Sequence, residues 1–323
     1  MPEASLWLLI LIVALAIGFG LVNGFNDAAN AIAASIGSRS ISPRNAIMIA
    51  TVTNFTGAAT GLAVAKTIGK GILVPEVISN LTVIAAFLMV IAALASVIIW
   101  GAVATYMGLP VSITHGFIAG LAAAGVAVAG REVVIWGALG KVMSAVVTAP
   151  ALGFVGGFTL MVLLYWLFQR SAPDKMRVIF SRLQWLTTAF LAYSHGKNDG
   201  QMPIGVITMA LVIYTGQVEI WDNIPWWVII ISALSISVGT AVGGWRVIKT
   251  IGLNITALQP AQAFVANASA AIVIEIASAL GIPVSTTHCA SSAIMGLGAT
   301  RRLSAVRWGV AGNIAAAWIL TFP

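Results

Sequence analysis

Long runs without charged residues alternate with short polar segments along this chain. At about 20 residues for each crossing of a bilayer, ten runs can be distinguished. They cover Leu6–Gly37, Asn45–Ala65, Leu81–Tyr106, Ser112–Ala129, Val142–Phe168, Trp185–Tyr214, Trp226–Trp245, Leu258–Leu280, Val284–Leu297 and Trp308–Leu320. Polar residues interrupt the first run at Asn23–Asn30 and the sixth at Ser194–Gly200. The pattern predicts an all-α polytopic membrane protein with about 10–12 transmembrane or re-entrant helices, some of them broken at the midplane.

The composition narrows the class of protein further. Of the 323 residues, 60% are hydrophobic and 8% are charged, whereas soluble domains carry about 25% charged residues. A soluble enzyme, a disordered chain and a nucleic-acid-binding protein are therefore excluded. The sequence also contains no Walker motif and no glycine-rich nucleotide loop, so coupling to ATP is not expected. It offers no nucleophile–base–acid set either, so we expect neither an enzyme nor a cofactor apart from a co-transported ion.

The basic residues predict an orientation. If five crossings precede and five follow the basic stretch around Arg170–Arg182, one set of alternate loops carries eleven basic residues and the opposite set carries four. Because cytoplasmic loops are enriched in lysine and arginine, we expect the central loop to be cytoplasmic and both termini to lie outside.

Two polar motifs occur twice, in the same order and at nearly the same spacing. Gly24-Phe25-Asn26-Asp27 matches Gly196-Lys197-Asn198-Asp199, and the segment Gly108–His115 matches Gly281–His288 through a shared Pro-Val-Ser-x-Thr-His sequence. The repeat unit is about half the chain and holds an odd number of crossings, so the second copy is predicted to be inverted. This divides the chain into a first repeat (1–169), a short cytoplasmic connecting loop (170–183) and a second repeat (184–323). Such repeats are typical of secondary transporters, whose sites lie at the repeat interface.

The duplicated motifs supply oxygen ligands within apolar surroundings. Asp27 and Asp199 need a cation, a proton or a donor there, because a bare carboxylate in a membrane is costly. Asn26 and Asn198 add amide oxygens beside them. Together these four residues predict a site for a hard cation such as Na⁺.

The same motifs can hold an anion. We expect each Gly-x-Asn-Asp motif to begin a half-helix and each Pro-Val-Ser-x-Thr-His motif to precede another, so that free N–H groups face an anion. Hydroxyl and amide donors for phosphate oxygens come from Ser112, Thr114, Ser285, Thr287 and Gln201. A bound cation would offset the repulsion between the anion and the two carboxylates, which is a physical reason for cation-coupled anion uptake.

Other polar residues allow more than one interpretation. Lys197 could neutralise Asp199, contact the anion or extend to the membrane interface. Glu275 could be a third-cation ligand, a gate or one partner of a structural ion pair. The histidines His115, His195 and His288 all fall in the repeated motifs, where capping a helix end is a commoner role than contact with substrate.

The residues Gly24–Ala31 and Ser194–Gln201, with the two Pro-Val-Ser-x-Thr-His motifs, resemble the inorganic phosphate transporter (PiT) family, and the similarity covers both halves of the chain. That family is known for symport of inorganic phosphate with Na⁺ or H⁺. The resemblance implies that Asn26, Asp27, Asn198 and Asp199 lie at the cation and phosphate site, and that Ser112, Thr114, Ser285, Thr287 and Gln201 line it. Members are often dimeric, so a homodimer is among the expected partners. Lys197 and Met202-Pro203 depart from the usual second motif.

The expected function is secondary active import of inorganic phosphate, coupled to Na⁺ by alternating access. Alternatives are coupling to H⁺, with Asp27 and Asp199 as proton carriers, and symport of another oxyanion such as sulfate. A passive anion channel is disfavoured because such channels use rings of arginine or lysine. The short central loop favours a prokaryotic protein in the plasma membrane.

Overall fold

The computed structural model describes residues 3–321, and this part of the chain is almost entirely helical. Its fourteen α-helices are α1 (Glu3–Gly37), α2 (Pro43–Ala59), α3 (Ala63–Lys70), α4 (Pro75–Ser79), α5 (Val83–Met107), α6 (Ile113–Ala129), α7 (Trp136–Phe168), α8 (Pro173–Asp199), α9 (Gln201–Thr215), α10 (Trp226–Val242), α11 (Trp245–Lys249), α12 (Pro260–Ala279), α13 (Thr286–Ala299) and α14 (Trp308–Ile319). The described residues contain no β-strand beyond one isolated bridge between Leu73 and Val134.

The outer surfaces of the helices are apolar, as a bilayer requires. Large side chains such as Trp7, Ile99 and Trp166 are exposed by 69%, 65% and 74%. By length and composition, four described helices can each cross a membrane, or six if each of two bent helix pairs is counted as one span. The predicted all-α membrane fold is confirmed.

The helix breaks do not all fall where the sequence predicts them. The first polar interruption, Asn23–Asn30, lies within α1, which continues unbroken to Gly37, so the expectation of a half-helix beginning at Gly24 is wrong. In the second half, the Gly-Lys-Asn-Asp motif ends α8 instead of beginning a half-helix, which corrects the same expectation there, and α9 begins after Gly200. The polar side chains turn inward and are buried, so they do not need to interrupt the helical backbone.

The pronounced bends lie in two other pairs of helices. The axes of α2 and α3 differ by 66° across residues 60–62, and those of α10 and the segment Trp245–Asn254 differ by 63°. The second segment consists of α11 and a π-helical turn, Thr250–Asn254. Gly243 allows this break because its φ of +68° is a conformation that favours glycine.

Helices α5 and α6 form one packed hairpin, and α12 and α13 form another. Residues 108–112 connect the first pair, and residues 281–285 connect the second; we call them the first tip and the second tip. Each tip begins with a glycine at positive φ, +73° at Gly108 and +67° at Gly281, and continues with proline two residues later, which is a common way to end a helix. Both tips are largely buried, as expected for hairpins that end inside the bundle.

Residues 170–183 differ from the predicted loop. Helix α8 already begins at Pro173, so the connection between α7 and α8 is only residues 169–172. Pro173 occupies the first turn and Asp174 follows it, and both residue types favour a helix start.

Candidate functional site

The two motif aspartates meet at the centre of the bundle. Asp27 on α1 and Asp199 at the end of α8 are exposed by 1% and 0%. His195 lies between them, with its Nε2 3.3 Å from Asp199 Oδ2 and 3.9 Å from Asp27 Oδ2. One oxygen of each carboxylate and one nitrogen of the histidine all fall within 4.8 Å of one another. Two buried carboxylates at this spacing form a strongly cation-attracting site.

Hydroxyl groups on α6 and α13, the helices that follow the two tips, form hydrogen bonds with these carboxylates. Thr287 on α13 donates to Asp27 Oδ1 at 2.8 Å, and Thr114 on α6 donates to Asp199 Oδ1 at 3.4 Å. Each predicted threonine therefore contacts the aspartate of the other half of the chain. The site is formed between the halves and is complete only when both halves contribute.

Asn30 belongs to the site, although it is not among the predicted ligands. Its amide nitrogen donates to Asp27 Oδ1 at 2.9 Å and lies 2.9 Å from Thr287 Oγ1 and 3.2 Å from Thr286 Oγ1. Thr286 was also not predicted, and its hydroxyl donates to Asp199 Oδ2 at 3.3 Å. The side-chain oxygen of Asn30, Oδ1, is buried and has no hydrogen-bond partner among the described residues. It is therefore free to bind a cation.

A chain of hydrogen bonds fixes the orientation of His195. Thr240 donates its hydroxyl to the carbonyl of Ile236, so its oxygen accepts the amide N–H of Asn54 at 2.7 Å. Asn54 Oδ1 then faces His195 Nδ1 at 2.7 Å and, being an acceptor, places the proton on Nδ1. The neutral ring consequently turns a lone pair at Nε2 toward the carboxylates. A neutral His195 adds a third ligand for a cation, and a protonated one neutralises part of the negative charge.

The motif asparagines hold the two tips in equivalent ways. Asn26 donates to Thr105 Oγ1 at 2.9 Å and to the carbonyl of Leu109 at 3.4 Å. Asn198 donates to Ser278 Oγ at 2.9 Å and to the carbonyl of Ile282 at 3.2 Å. Among the described residues the side-chain oxygen of Asn26 has no hydrogen-bond partner, so of the two predicted amide ligands it is the one with a free oxygen.

The oxygen of Asn198 is already occupied, because it accepts the backbone N–H of Val284 at 3.1 Å. The second tip is therefore bound by Asn198 through both its donor and its acceptor.

Ser112 and Ser285 cap the helices that begin at the tips. Ser112 accepts the N–H of His115 at 3.2 Å at the start of α6, and Ser285 accepts the N–H of His288 at 3.2 Å at the start of α13. These caps use one donor of each helix and leave the other first-turn N–H groups, with their positive dipole end, beside the aspartates. The predicted Pro-Val-Ser-x-Thr-His helix starts are confirmed.

Three residues of the second motif region lie away from the carboxylates. Gln201 accepts the backbone N–H groups of Val64 and Ala65 at 3.0 and 3.2 Å, so it caps α3. Lys197 forms an ion pair with Glu275, and the two side chains are exposed by 21% and 26%. The pair is the structural alternative for Glu275 that the sequence left open, and Lys197 is not the partner of Asp199.

Comparison with known proteins identifies the family of this chain. Residues 23–323 match the phosphate transporter family. Probable low-affinity inorganic phosphate transporters of Rhizobium meliloti and Bacillus subtilis are each 39% identical to this chain, over 98% and 99% of its length and 92% and 95% of theirs. A solved structure described as the sodium-dependent phosphate transporter superposes with a TM-score of 0.90 at 27% identity, covering 98% of this chain and 95% of that one. The resemblance seen in the sequence is confirmed, and the chain belongs to the phosphate transporter family, a family of transporters and not of enzymes.

Proposed function

We propose that the protein imports inorganic phosphate together with Na⁺ by alternating access. The observation that carries this proposal is the meeting of Asp27 and Asp199 in the bundle centre, each bound by a threonine from the other half of the chain. A cation and an anion can be bound there side by side, and alternating access would require the hairpins that carry these threonines to move relative to the long helices. The description of the structural relative as sodium-dependent supports the choice of ion.

The donor set favours Na⁺ over a softer metal. Carboxylate and amide oxygens dominate it, and oxygen ligands suit hard cations. Asn26, Asp27, Asn198 and Asp199 remain the proposed cation residues. Asn198 would use the second lone pair of an oxygen that already accepts the N–H of Val284. Asn30 joins them through its unpartnered side-chain oxygen. Coupling to H⁺ is the alternative, because the same carboxylates could carry protons.

For phosphate, the proposed ligands are Asp27, Ser112, Thr114, Gln201, Ser285 and Thr287. The serines and threonines lie at the starts of α6 and α13, where helix dipoles favour an anion. Asp27 would act through a shared cation. Gln201 would bind phosphate through its Nε2 group, because its Oε1 accepts the backbone N–H groups at the start of α3. Lys197 pairs with Oε1 of Glu275. The other oxygen, Oε2, is buried without a hydrogen-bond partner among the described residues, and through it Glu275 could act as a third-cation ligand or a gate.

The proposed setting is the plasma membrane, with the segment around residues 170–183 in the cytoplasm and both termini outside. The excess of basic residues in alternate loops supports this orientation. A homodimer is the proposed assembly, and it rests on the family resemblance.

The direct test is uptake of labelled phosphate into proteoliposomes under a Na⁺ gradient, an H⁺ gradient or neither. We expect uptake under the Na⁺ gradient alone, with protein-free liposomes as the control. Uptake driven only by pH would make the carboxylates proton carriers. Flux without any gradient dependence would indicate a channel, and competition by excess sulfate would indicate a broader oxyanion site. Folded protein without phosphate flux would overturn the proposal.

Replacing Ser112 or Ser285 with alanine is expected to raise the phosphate KM several-fold, because each change removes a hydroxyl ligand and a helix cap whose loss costs about 1 kcal/mol. Ser42→Ala is the matched control. Ser42 caps α2 in the same way by accepting the N–H of Asn45, but it is exposed, so its loss should leave KM unchanged. A fall in the maximal rate alone in the first two variants would show that they are not phosphate ligands.

A further inference from the structure

Two threonines on the bent helices bind the two tips in matching ways. Thr67 on α3 donates its hydroxyl to the carbonyl of Gly281 at 2.7 Å, and Thr250, at the turn after α11, donates to the carbonyl of Gly108 at 3.0 Å. Neither threonine lies in a repeated motif. We propose that Thr67 and Thr250 are positioning residues for transport, each holding the tip of the other half in the position seen in this structure.

The two contacts are equivalent in detail, which indicates that they are not accidental packing contacts. Gly108 and Gly281 occupy matching places in the duplicated motif, and both have positive φ. Each threonine also lies within hydrogen-bond distance of the carbonyl four residues earlier, Ala63 at 3.3 Å and Arg246 at 3.1 Å. Each belongs to the second arm of a bent helix pair, and the bends are 66° and 63°.

Close approach of the backbones explains why glycine begins each tip. A Cβ added to Gly281 would lie 3.3 Å from the carbonyl oxygen of Ala63, and one added to Gly108 would lie 3.1 Å from Cβ of Arg246. Each tip thus rests directly on the first turn of the bent arm. A movement of the arm is transmitted to the tip through both packing and the hydroxyl.

The tips are also where the site residues begin. The carbonyl next to Gly281, at Ile282, accepts the amide of Asn198, and the helix that follows carries Thr286 and Thr287. A shift of the second tip would therefore withdraw two hydroxyls from the aspartates. The first tip has the same relation to Asn26 and Thr114. Closing and opening of the proposed phosphate site, on which this inference rests, would accordingly pass through the threonine contacts.

Each tip has further contacts besides its threonine. In the first tip, the carbonyl oxygen of Val111 lies 3.0 Å from Thr287 Oγ1, and the N–H of Ser112 lies 3.5 Å from Thr321 Oγ1. In the second tip, Asn198 contributes a further hydrogen bond to the N–H of Val284, at 3.1 Å, whereas the oxygen of Asn26 has no partner among the described residues. The contact of Asn26 with its tip carbonyl is also longer, at 3.4 Å against 3.2 Å. Loss of Thr250 or of Thr67 removes one of several contacts at its tip, so we expect the two tips to be released to a similar extent.

The test combines threonine variants with a cysteine reporter in each tip. Val111→Cys reports on the first tip and Val284→Cys on the second; both valines are buried, at 0% and 3% exposure. The assay measures labelling of the reporter by a water-soluble thiol reagent in reconstituted vesicles. The chain has one native cysteine, Cys289, which is buried. Protein without a reporter therefore gives the background labelling. Loss of one hydrogen bond is expected to change labelling by about three- to tenfold.

We expect Thr250→Val to speed labelling mainly at Val111→Cys, and Thr67→Val to speed it mainly at Val284→Cys. The contact between Thr287 and the carbonyl of Val111 allows a smaller effect at the other reporter. Thr67→Ser and Thr250→Ser should restore the original rates. Thr159→Val is the matched control, because Thr159 is exposed and donates only within its own helix, to Val155 at 2.7 Å. Equal acceleration of both reporters by either variant, or of neither, would overturn the inference.

Uptake measured on the same variants separates positioning from binding. Both valine variants should lower the maximal rate of phosphate uptake about three- to tenfold, with KM changed less than about twofold. A rise in KM without a change in labelling would make the threonines ligands and not positioning residues. Labelling does not depend on transport, so if the unaltered protein carried no phosphate, the proposed function would fail while the tip contacts were still tested.

Discussion

Asp27→Asn and Asp199→Asn are each expected to lower gradient-driven phosphate uptake by about 100-fold. Each substitution removes one of the two carboxylate charges of the site. Asparagine has nearly the same shape as aspartate and keeps a side-chain oxygen for Thr287, Asn30 or Thr114. What it removes is the charge that attracts the coupling ion. The loss should therefore appear in transport and not in folding.

The measurement is initial uptake by vesicles containing equal amounts of protein, with thermal stability in detergent followed in parallel. Asp174→Asn is the matched control, since Asp174 is an exposed carboxylate at the start of α8 and should keep the unaltered rate. Wild-type uptake in either motif variant would remove that aspartate from the site. Loss of the folded protein would instead assign the carboxylate a structural role.

The duplicated motifs predict those site residues that occur at matching positions in both halves of the chain. Asp27 and Asp199, and likewise Thr114 and Thr287, are repeat partners, and the structure joins each aspartate to the threonine of the other half. An ionisable residue that recurs in apolar surroundings is seldom accidental. These positions can therefore be predicted as site residues from the sequence alone.

The residues that the sequence does not reveal are those that break the repeat. The positions that correspond to Asn30 and Thr286 hold Met202 and Ile113, so duplication gives no signal for either. Asn54 lies outside every repeated motif and enters the site only because α2 packs against α8. Such contacts between distant segments follow from packing, which a linear pattern does not encode.

The misplaced helix break in α1 has a related cause. A polar run inside an apolar segment favours a break only if the polar groups cannot find partners in a continuous helix. Asn26, Asp27 and Asn30 all find such partners on other helices, so the backbone has no need to unwind. The true bends fall at Gly61 and at Gly243-Gly244, next to glycines that the hydropathy pattern treats as ordinary span residues.

Gly24→Ala and Gly196→Ala are expected to prevent normal folding, because the motif glycines allow two helix pairs to touch along their backbones. A Cβ on Gly24 would overlap the carbonyl oxygen of Ile236 and come within 2.8 Å of Gly239 Cα on α10. One on Gly196 would overlap the carbonyl oxygen of Asn54 and come within 2.9 Å of its Cα on α2. Backbone atoms cannot rotate away as a side chain can, so overpacking should cost about 3 kcal/mol or more.

The expected result is a large fall in the yield of monodisperse protein and in its unfolding temperature. Gly140→Ala is the control, because no heavy atom lies within 4 Å of a Cβ added at Gly140 in α7, and alanine there should stabilise the helix by about 1 kcal/mol.

If a motif variant nevertheless folds, it should transport poorly. Gly196 sets the distance from α8 to Asn54, and Gly24 lies against Thr240, so both glycines position the Thr240–Asn54–His195 chain. Unchanged folding and transport in both variants would show that the helices can separate without disturbing the site.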